Sequence, residues 1–375
     1  MAMKKTIITN VCVLIFISSF AQFGGGIGTE SDPYRIYTIA HLEEIGDSLD
    51  NGNNMYNKHF RLMNDIIDDS LTNMIGNTYG VGFCGSLHGG NHSIALNMTN
   101  DIYGNTYSAL FGQVGQVGFA GYIDSLTVVG EISATNISGF CIDNYGTIYK
   151  CVCKIRLNNN DFGGFSGIAF GNYGSINSCV NYTNSTRLEC GGICYRMWDE
   201  SNIKSCINYG HLKSAGVIVS GICAWVDCSY YSCTISDCVN YGDISVANDG
   251  YDSEDYQSCG GIVGAFFGGD ENARVKIINC QNYGKISLER SYWIGGIAGF
   301  LQGVVSVEQC SNYGEVIGKY NVGGIVGCYT GNDSIWIMGV GYTYQKGRLV
   351  NCYNSGHIHG DSIVGGIAGT FASLC

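Results

Sequence analysis

One short segment returns along this chain and carries its own corner chemistry. Cys-x-Asn-Tyr-Gly occurs at Cys206, Cys238, Cys280 and Cys310, and in altered form at Cys179 (Cys-Val-Asn-Tyr-Thr) and Cys352 (Cys-Tyr-Asn-Ser-Gly). A second segment, Gly-Gly-Ile/Phe-x-Gly, alternates with it at Gly163, Gly260, Gly295, Gly323 and Gly365, with weaker copies at Ser138, Gly191 and Ser220. The shorter steps between copies define a period of about 28 residues, and the longer ones carry insertions at 246–258, 267–276 and 328–347. Self-similarity at a fixed period means a unit that buries its apolar face only by stacking on copies of itself.

Within one period three short strands are expected: Gly295–Gly299, Val305–Cys310 and Glu315–Ile317. Alternation along the second puts Val305, Val307 and Gln309 on one face, with the face of Cys310 open to a bulge beside it. Asn-Tyr-Gly reads as a corner, since Asn and Gly tolerate left-handed backbone. Asn residues stacked one turn apart can form amide ladders. Three strands per turn with corners between them predict an all-β fold, a right-handed, single-stranded parallel β-helix. The leucine-rich pattern is absent, and a propeller blade needs four strands from a longer repeat.

Composition agrees. Glycine supplies 56 of 375 residues and proline one, which suits tight β turns and neither collagen nor a linker. Only 13% of residues are charged and 45% are hydrophobic, so many positions face an interior. A net charge of −12 argues against nucleic acid and anionic membrane surfaces as partners. Of 19 cysteines six fall at one repeat position, Cys179, Cys206, Cys238, Cys280, Cys310 and Cys352, which a disulfide framework would not require. Cys206, Cys238, Cys280, Cys310 and Cys352 are expected as an inward, mostly reduced stack. Cys84, Cys228, Cys233, Cys259 and Cys375 stay open.

Three regions are expected. Residues 1–21 read as a signal peptide: Lys4 and Lys5, an apolar run from Val11 to Phe20, and a small-residue cleavage site at Ser19-x-Ala21. That run is too short for a permanent anchor, and no integral membrane segment is predicted elsewhere. Residues 22–65 form a leader and an N-terminal helical cap. Ile39, Leu42, Ile45 and Leu49 recur at helical spacing, with Thr38 as N-cap and Gly46 or Asn51-Gly52 as the stop. Residues 66–375 form the β-helix.

The alternation of the two segments resembles the GLUG-type repeat of secreted and surface proteins of gut and oral bacteria. Gly28-Thr29-Glu30-Ser31-Asp32-Pro33-Tyr34-Arg35-Ile36 and Phe60-Arg61-Leu62-Met63-Asn64-Asp65-Ile66 resemble the cap that begins such proteins. Phe83-x-Gly85-x-Leu87-x-Gly89-x-Asn91-His92-x-Ile94 resembles their first coil, with His88 where Asp is more usual. The resemblance implies a fold and an exported, cell-surface or secreted location, and no reaction. Some relatives carry the repeats beside an immunoglobulin-cleaving metallopeptidase, but His-Glu-x-x-His is absent from this sequence.

No catalytic, metal or cofactor site is predicted. His41-Leu42-Glu43-Glu44 lacks a second His, and His357-x-His359 reads as a solvent-facing pair. The acidic run Asp249, Asp252, Glu254 and Asp255 reads as a solvated loop, with calcium as the other reading. Large aromatics instead follow the Gly-Gly-Ile-x-Gly segments: Trp198, Trp225, Phe266, Phe267, Phe300 and Tyr329. The last insertion adds Trp336, Tyr342 and Tyr344. If outward, these rings form a ribbon; Trp198, Trp225, Phe266, Phe267, Trp336, Tyr342 and Tyr344 are the candidate ligand-binding residues. The expected function is a non-catalytic, adhesin-like binding protein presenting a lateral face to an extracellular glycan or a host or bacterial surface protein. A carbohydrate-active enzyme, a polysaccharide lyase or glycosidase, is the alternative. A further partner is expected over the open C-terminal end of the solenoid.

Overall fold

The computed structural model describes residues 23–375 apart from 78–79, 100–105, 159–162, 215–216, 247–256, 268–273, 289–291, 332–334, 338–340, 344–346 and 374–375. The signal peptide, the acidic loop of Asp249–Asp255, Tyr344 and Cys375 therefore lie outside the described residues. The chain winds as a parallel β-helix, as its period requires. Five parallel sheets run along it, with 11, 10, 5, 9 and 9 strands. In one late coil they are entered at Cys233–Ser236 (sheet 1), Val239–Asn240 (sheet 2), Ile244–Val246 (sheet 3), Ser258–Gly260 (sheet 4) and Val263–Phe266 (sheet 5). The only antiparallel pair of strands named among the described residues, Ile335–Ile337 with Gly341–Thr343, lies in the last insertion.

The strand boundaries differ from expectation in an instructive way. Gly295–Gly299 is not one strand. Trp293–Gly295 belongs to sheet 4 and Ala298–Gln302 to sheet 5, with Gly296 and Ile297 turning the corner between them. Ser311–Asn312 is a strand of its own, so a late coil holds five strands rather than three.

The Cys corner explains this. Ser125, Lys150, Ser178, Ser205, Asp237, Asn279, Gln309 and Asn351 all have φ between 51° and 56°. One left-handed residue per coil shifts the alternation by one, and the next residue points inward. Cys151, Cys179, Cys206, Cys238, Cys280 and Cys310 are accordingly buried and Cys352 half-buried, all as free thiols. Each thiol donates to two backbone carbonyls, as Cys206 does to Ile176 at 3.6 Å and Lys204 at 3.3 Å. A small apolar side chain with one weak donor is what this corner can hold.

Asn-Tyr-Gly does not use left-handed backbone at its Asn or Gly, contrary to the sequence reading. Its Asn is the last residue of a sheet 2 strand and points inward. Asn181, Asn208, Asn240, Asn282, Asn312 and Asn354 form one ladder, each Nδ2 donating to the next Oδ1 at 2.8 Å. Its Gly is required because the backbone of the preceding coil passes there. A Cβ at Gly284 would lie 2.0 Å from the Gly242 carbonyl oxygen.

The two repeat segments also meet each other. From Gly191-Gly192 to Gly323-Gly324 the second residue of this segment faces the Asn ladder across the interior; at the Gly163-Gly164 copy the register is offset and Gly167 takes that place, where a Cβ would lie 2.7 Å from Asn181 Cγ. A Cβ on Gly192, Gly221, Gly261, Gly296 or Gly324 would fall 2.3–2.6 Å from the Cγ of Asn208, Asn240, Asn282, Asn312 or Asn354 respectively. The alternation of motifs along these coils is therefore one contact, made once per coil from Gly192 to Gly324.

At the N-terminal end the helix Ile39–Asp50 lays Ile39, Leu42, Ile45 and Leu49 on the core. Thr38 has extended backbone but makes no side-chain cap bond, and Gly46 is inside the helix, not its end. Sheet 1 already begins in the leader, where Tyr34–Ile36 pairs with His59–Leu62.

Candidate functional site

Sheet 5 decides the fate of the predicted aromatic ribbon. Its register aligns Arg196, Trp225, Ala265, Phe300 and Cys328 in one column, and Met197, Val226, Phe266, Leu301 and Tyr329 in the next. Successive residues of a strand face opposite ways. The second column is core: Phe266 is fully buried and Tyr329 nearly so. Phe266 is thus removed from the candidate binding residues. Phe300 is also buried, in a small cluster on the outer side where sheets 4 and 5 fold onto each other.

Trp198 is half-buried, and both its faces are used. Tyr145, Tyr173 and Trp198 stack with ring centres 4.4 and 5.4 Å apart and planes within 4° of parallel. The Arg196 guanidinium covers the other face, 4.2 Å from the ring centre, and pairs with Asp227. Trp198 can offer a ligand its edge and no more. Trp336 and Tyr342 stand opposite each other in the antiparallel pair of the last insertion.

Trp225 and Phe267 do come together. Their rings pack 5.2 Å apart and, with Arg196, Val217, Val226 and Asp227, line a depression of about 480 Å³. That volume suits a small ligand or one sugar unit. Its lining is mainly apolar, with the Arg196–Asp227 pair at one side.

A projecting tip borders this depression. Cys228 and Cys233 form a disulfide that closes Ser229-Tyr230-Tyr231-Ser232. Asp199, next to Trp198, accepts the backbone N–H groups of Tyr230 and Tyr231 at 3.1 and 3.0 Å. Asp227 also contacts the Ser229 hydroxyl at 3.4 Å, so one carboxylate links depression and tip. Tyr230 and Tyr231 are 61% and 58% exposed on a doubly anchored loop. Sequence reading left both cysteines open; their spacing of five around Tyr-Tyr was the available signal.

A second exposed aromatic array was missed. The Tyr of Asn-Tyr-Gly faces outward, and Tyr182, Tyr209, Tyr241, Tyr283 and Tyr313 stack at 4.7–5.0 Å while remaining 39–48% exposed. The ring faces are spent on each other, so the ladder presents edges and hydroxyls at the coil spacing. Its signal lay in the repeat itself, where Tyr alternates with the inward Asn.

Two carboxyls are raised. Burial pushes Asp143 up to about 6; it lies on the outward column two rungs before Arg196. Burial also raises Glu189, whose hydrogen bond from Tyr195 opposes the rise. Among the described residues, no group of three His, Cys, Asp or Glu is placed to hold a metal ion. Nor is any described helix long and apolar enough to cross a membrane.

No protein-family model matches the chain. No curated protein matches it in sequence. Among solved structures, it is similar to a protein from Bacteroides ovatus provisionally named an immunoglobulin A1 protease. That match has 19% identity and a TM-score of 0.46, covering 89% of this chain and 87% of the other. Likeness at this level assigns neither activity nor ligand.

Proposed function

We propose that this chain is an exported, non-catalytic binding protein of the adhesin type, related to the GLUG-repeat surface proteins. It presents a lateral face of its β-helix to an extracellular glycan or surface protein. The observation that carries the reading is the disulfide-closed tip. The solenoid does not need Tyr230 and Tyr231, yet two large rings are held in water by a cross-link and an aspartate clamp. Holding aromatic side chains in place beforehand lowers the entropy lost on binding. The bordering depression of Trp225 and Phe267 supplies an apolar seat, and the tyrosine ladder extends the contact surface. The signal-like leader supports export, and the disulfide fits an oxidising compartment.

Screening the chain from Gln22 onward against immobilised glycans and surface proteins tests this. The Tyr230→Ala/Tyr231→Ala chain should lose at least tenfold in affinity with its circular dichroism unchanged. A ligand bound equally well by that variant and by Trp225→Ala would refute the site.

A carbohydrate-active enzyme is the second reading, favoured by the raised carboxyls of Asp143 and Glu189. A raised carboxyl is what a general acid needs. Release of reducing ends or unsaturated sugars from a polysaccharide, abolished by Asp143→Asn, would establish it over the binding reading.

A further inference from the structure

We propose that the outer face of sheet 1, beside the helical cap, holds a divalent transition-metal site made by His59 and His88 and set by Asp124. His59 lies in the strand His59–Leu62 and His88 in Ser86–His88, the next strand of the sheet. The two imidazoles sit diagonally across the ladder on the same face. His59 Nδ1 and His88 Nε2 approach to 3.4 Å. That is at the long end for a hydrogen bond, the usual N–H···O range ending near about 3.2 Å. It equals the edge of a tetrahedron around zinc: Zn–N bonds of about 2.0–2.1 Å place two ligand nitrogens about 3.3–3.4 Å apart. The ring planes lie within 11° of each other with centres 5.7 Å apart, so the two nitrogens face each other nearly head-on, and each ring turns by roughly 30° to aim at a shared ion.

The third residue gives the arrangement its direction. His88 Nδ1 donates to Asp124 Oδ2 at 2.7 Å. This bond holds the tautomer with the proton on Nδ1 and leaves the Nε2 lone pair facing His59. A carboxylate behind a ligating histidine orients the ring and raises its basicity. Asp124 is the less exposed of the pair, at 17% against 27% for His88, which strengthens their interaction. Arg61 stands on the rung before His88, and Asp124 on the rung after offsets its charge. Binding puts the metal ion in place of the proton on His59 Nδ1, and that proton is taken up at Nε2 of the same ring by way of solvent, so the ring ligates as a neutral imidazole. Two coordination positions remain for water or for an atom of a ligand. The imidazole pair suits zinc, nickel or copper rather than calcium or magnesium.

Titration calorimetry with zinc chloride tests the site in the mature chain carrying His357→Ala, which removes the other close pair of histidines. The expected result is one zinc per chain. His59→Ala and His88→Ala should each abolish it. Asp124→Asn should weaken it about 10- to 100-fold while keeping both ligands. Copper bound to the His357→Ala chain should show two imidazole nitrogens in its electron paramagnetic resonance, a readout that needs no further variant. No zinc binding, binding that survives either alanine, or one-nitrogen copper coordination would each overturn the proposal.

Discussion

Replacing Asn240 by alanine tests whether the amide ladder supports the solenoid or only decorates it. Asn240 sits in the middle of the row. It accepts from Asn208 Nδ2 at 2.8 Å and donates to Asn282 Oδ1 at 2.8 Å and to the Gly242 carbonyl at 2.9 Å. All three partners are in buried positions. Alanine keeps the Cβ and removes every one of these bonds. Asn208 Nδ2 retains the Gly210 carbonyl at 3.0 Å, so it loses half its satisfaction. Asn282 Oδ1 and the Gly242 carbonyl lose their donors. A buried polar group left unpaired costs about 1–3 kcal/mol. The void faces Gly221, which has no side chain to fill it. Water entering that void would recover part of the loss, so the expected cost is about 4 kcal/mol.

Asn354→Ala is the internal control. Asn354 ends the described ladder, is only half-buried, and accepts from Asn312 without a further Asn to serve. Its removal should cost about 1 kcal/mol, since solvent replaces the partners. Urea unfolding gives the two losses, and amide hydrogen exchange shows whether the coils flanking Asn240 open together. Equal losses at the two positions, or a loss below about 1 kcal/mol at Asn240, would refute the reasoning, because it rests on orphaned buried groups.

Gly296→Ala should prevent folding or cost more than about 3 kcal/mol, since its Cβ would meet the Gly324 carbonyl at 2.2 Å and Asn312 Cγ at 2.3 Å; a soluble variant with unchanged urea midpoint would disprove the Gly–Asn contact. Burial holds the thiols of Cys206, Cys238 and Cys280 well above the ordinary cysteine range, so native protein should resist thiol reagents at neutral pH and react only on unfolding, whereas rapid native labelling would show an open corner. Asp143 is raised to about 6, so the native state favours its protonated form; stability should fall as pH rises from about 4 through 6, and Asp143→Asn should gain up to about 3 kcal/mol at pH 8 and nothing near pH 4. A variant no more stable than the parent at pH 8 would contradict that burial.

The fold was legible because its two repeats carry backbone requirements that few residues meet. Asn in the ladder and Gly where coils touch have no substitute of the same shape, so they recur visibly. The left-handed corner before each Cys was not legible, although it recurs as regularly. Ser, Lys, Asp, Asn and Gln all occupy it, each bearing the modest strain of one left-handed residue, and no composition marks it. That unseen residue sets which way Cys and Asn point, and therefore which way the intervening Tyr points. The aromatic ribbon was sought after Gly-Gly-Ile-x-Gly, where Phe266 turned out inward and Trp198 enclosed between Tyr173 and Arg196. Outward tyrosines stood instead in the repeat already in view. Spacing along a chain locates a column of residues; only the backbone twist at the preceding corner decides whether that column faces the core or the solvent. Trp225 and Phe267 were named from the sequence, but the depression they share and the Tyr230–Tyr231 tip lay beyond both kinds of reading. They depend on Asp199 and Asp227, which reach residues about 30 positions away only because one coil stacks on the next.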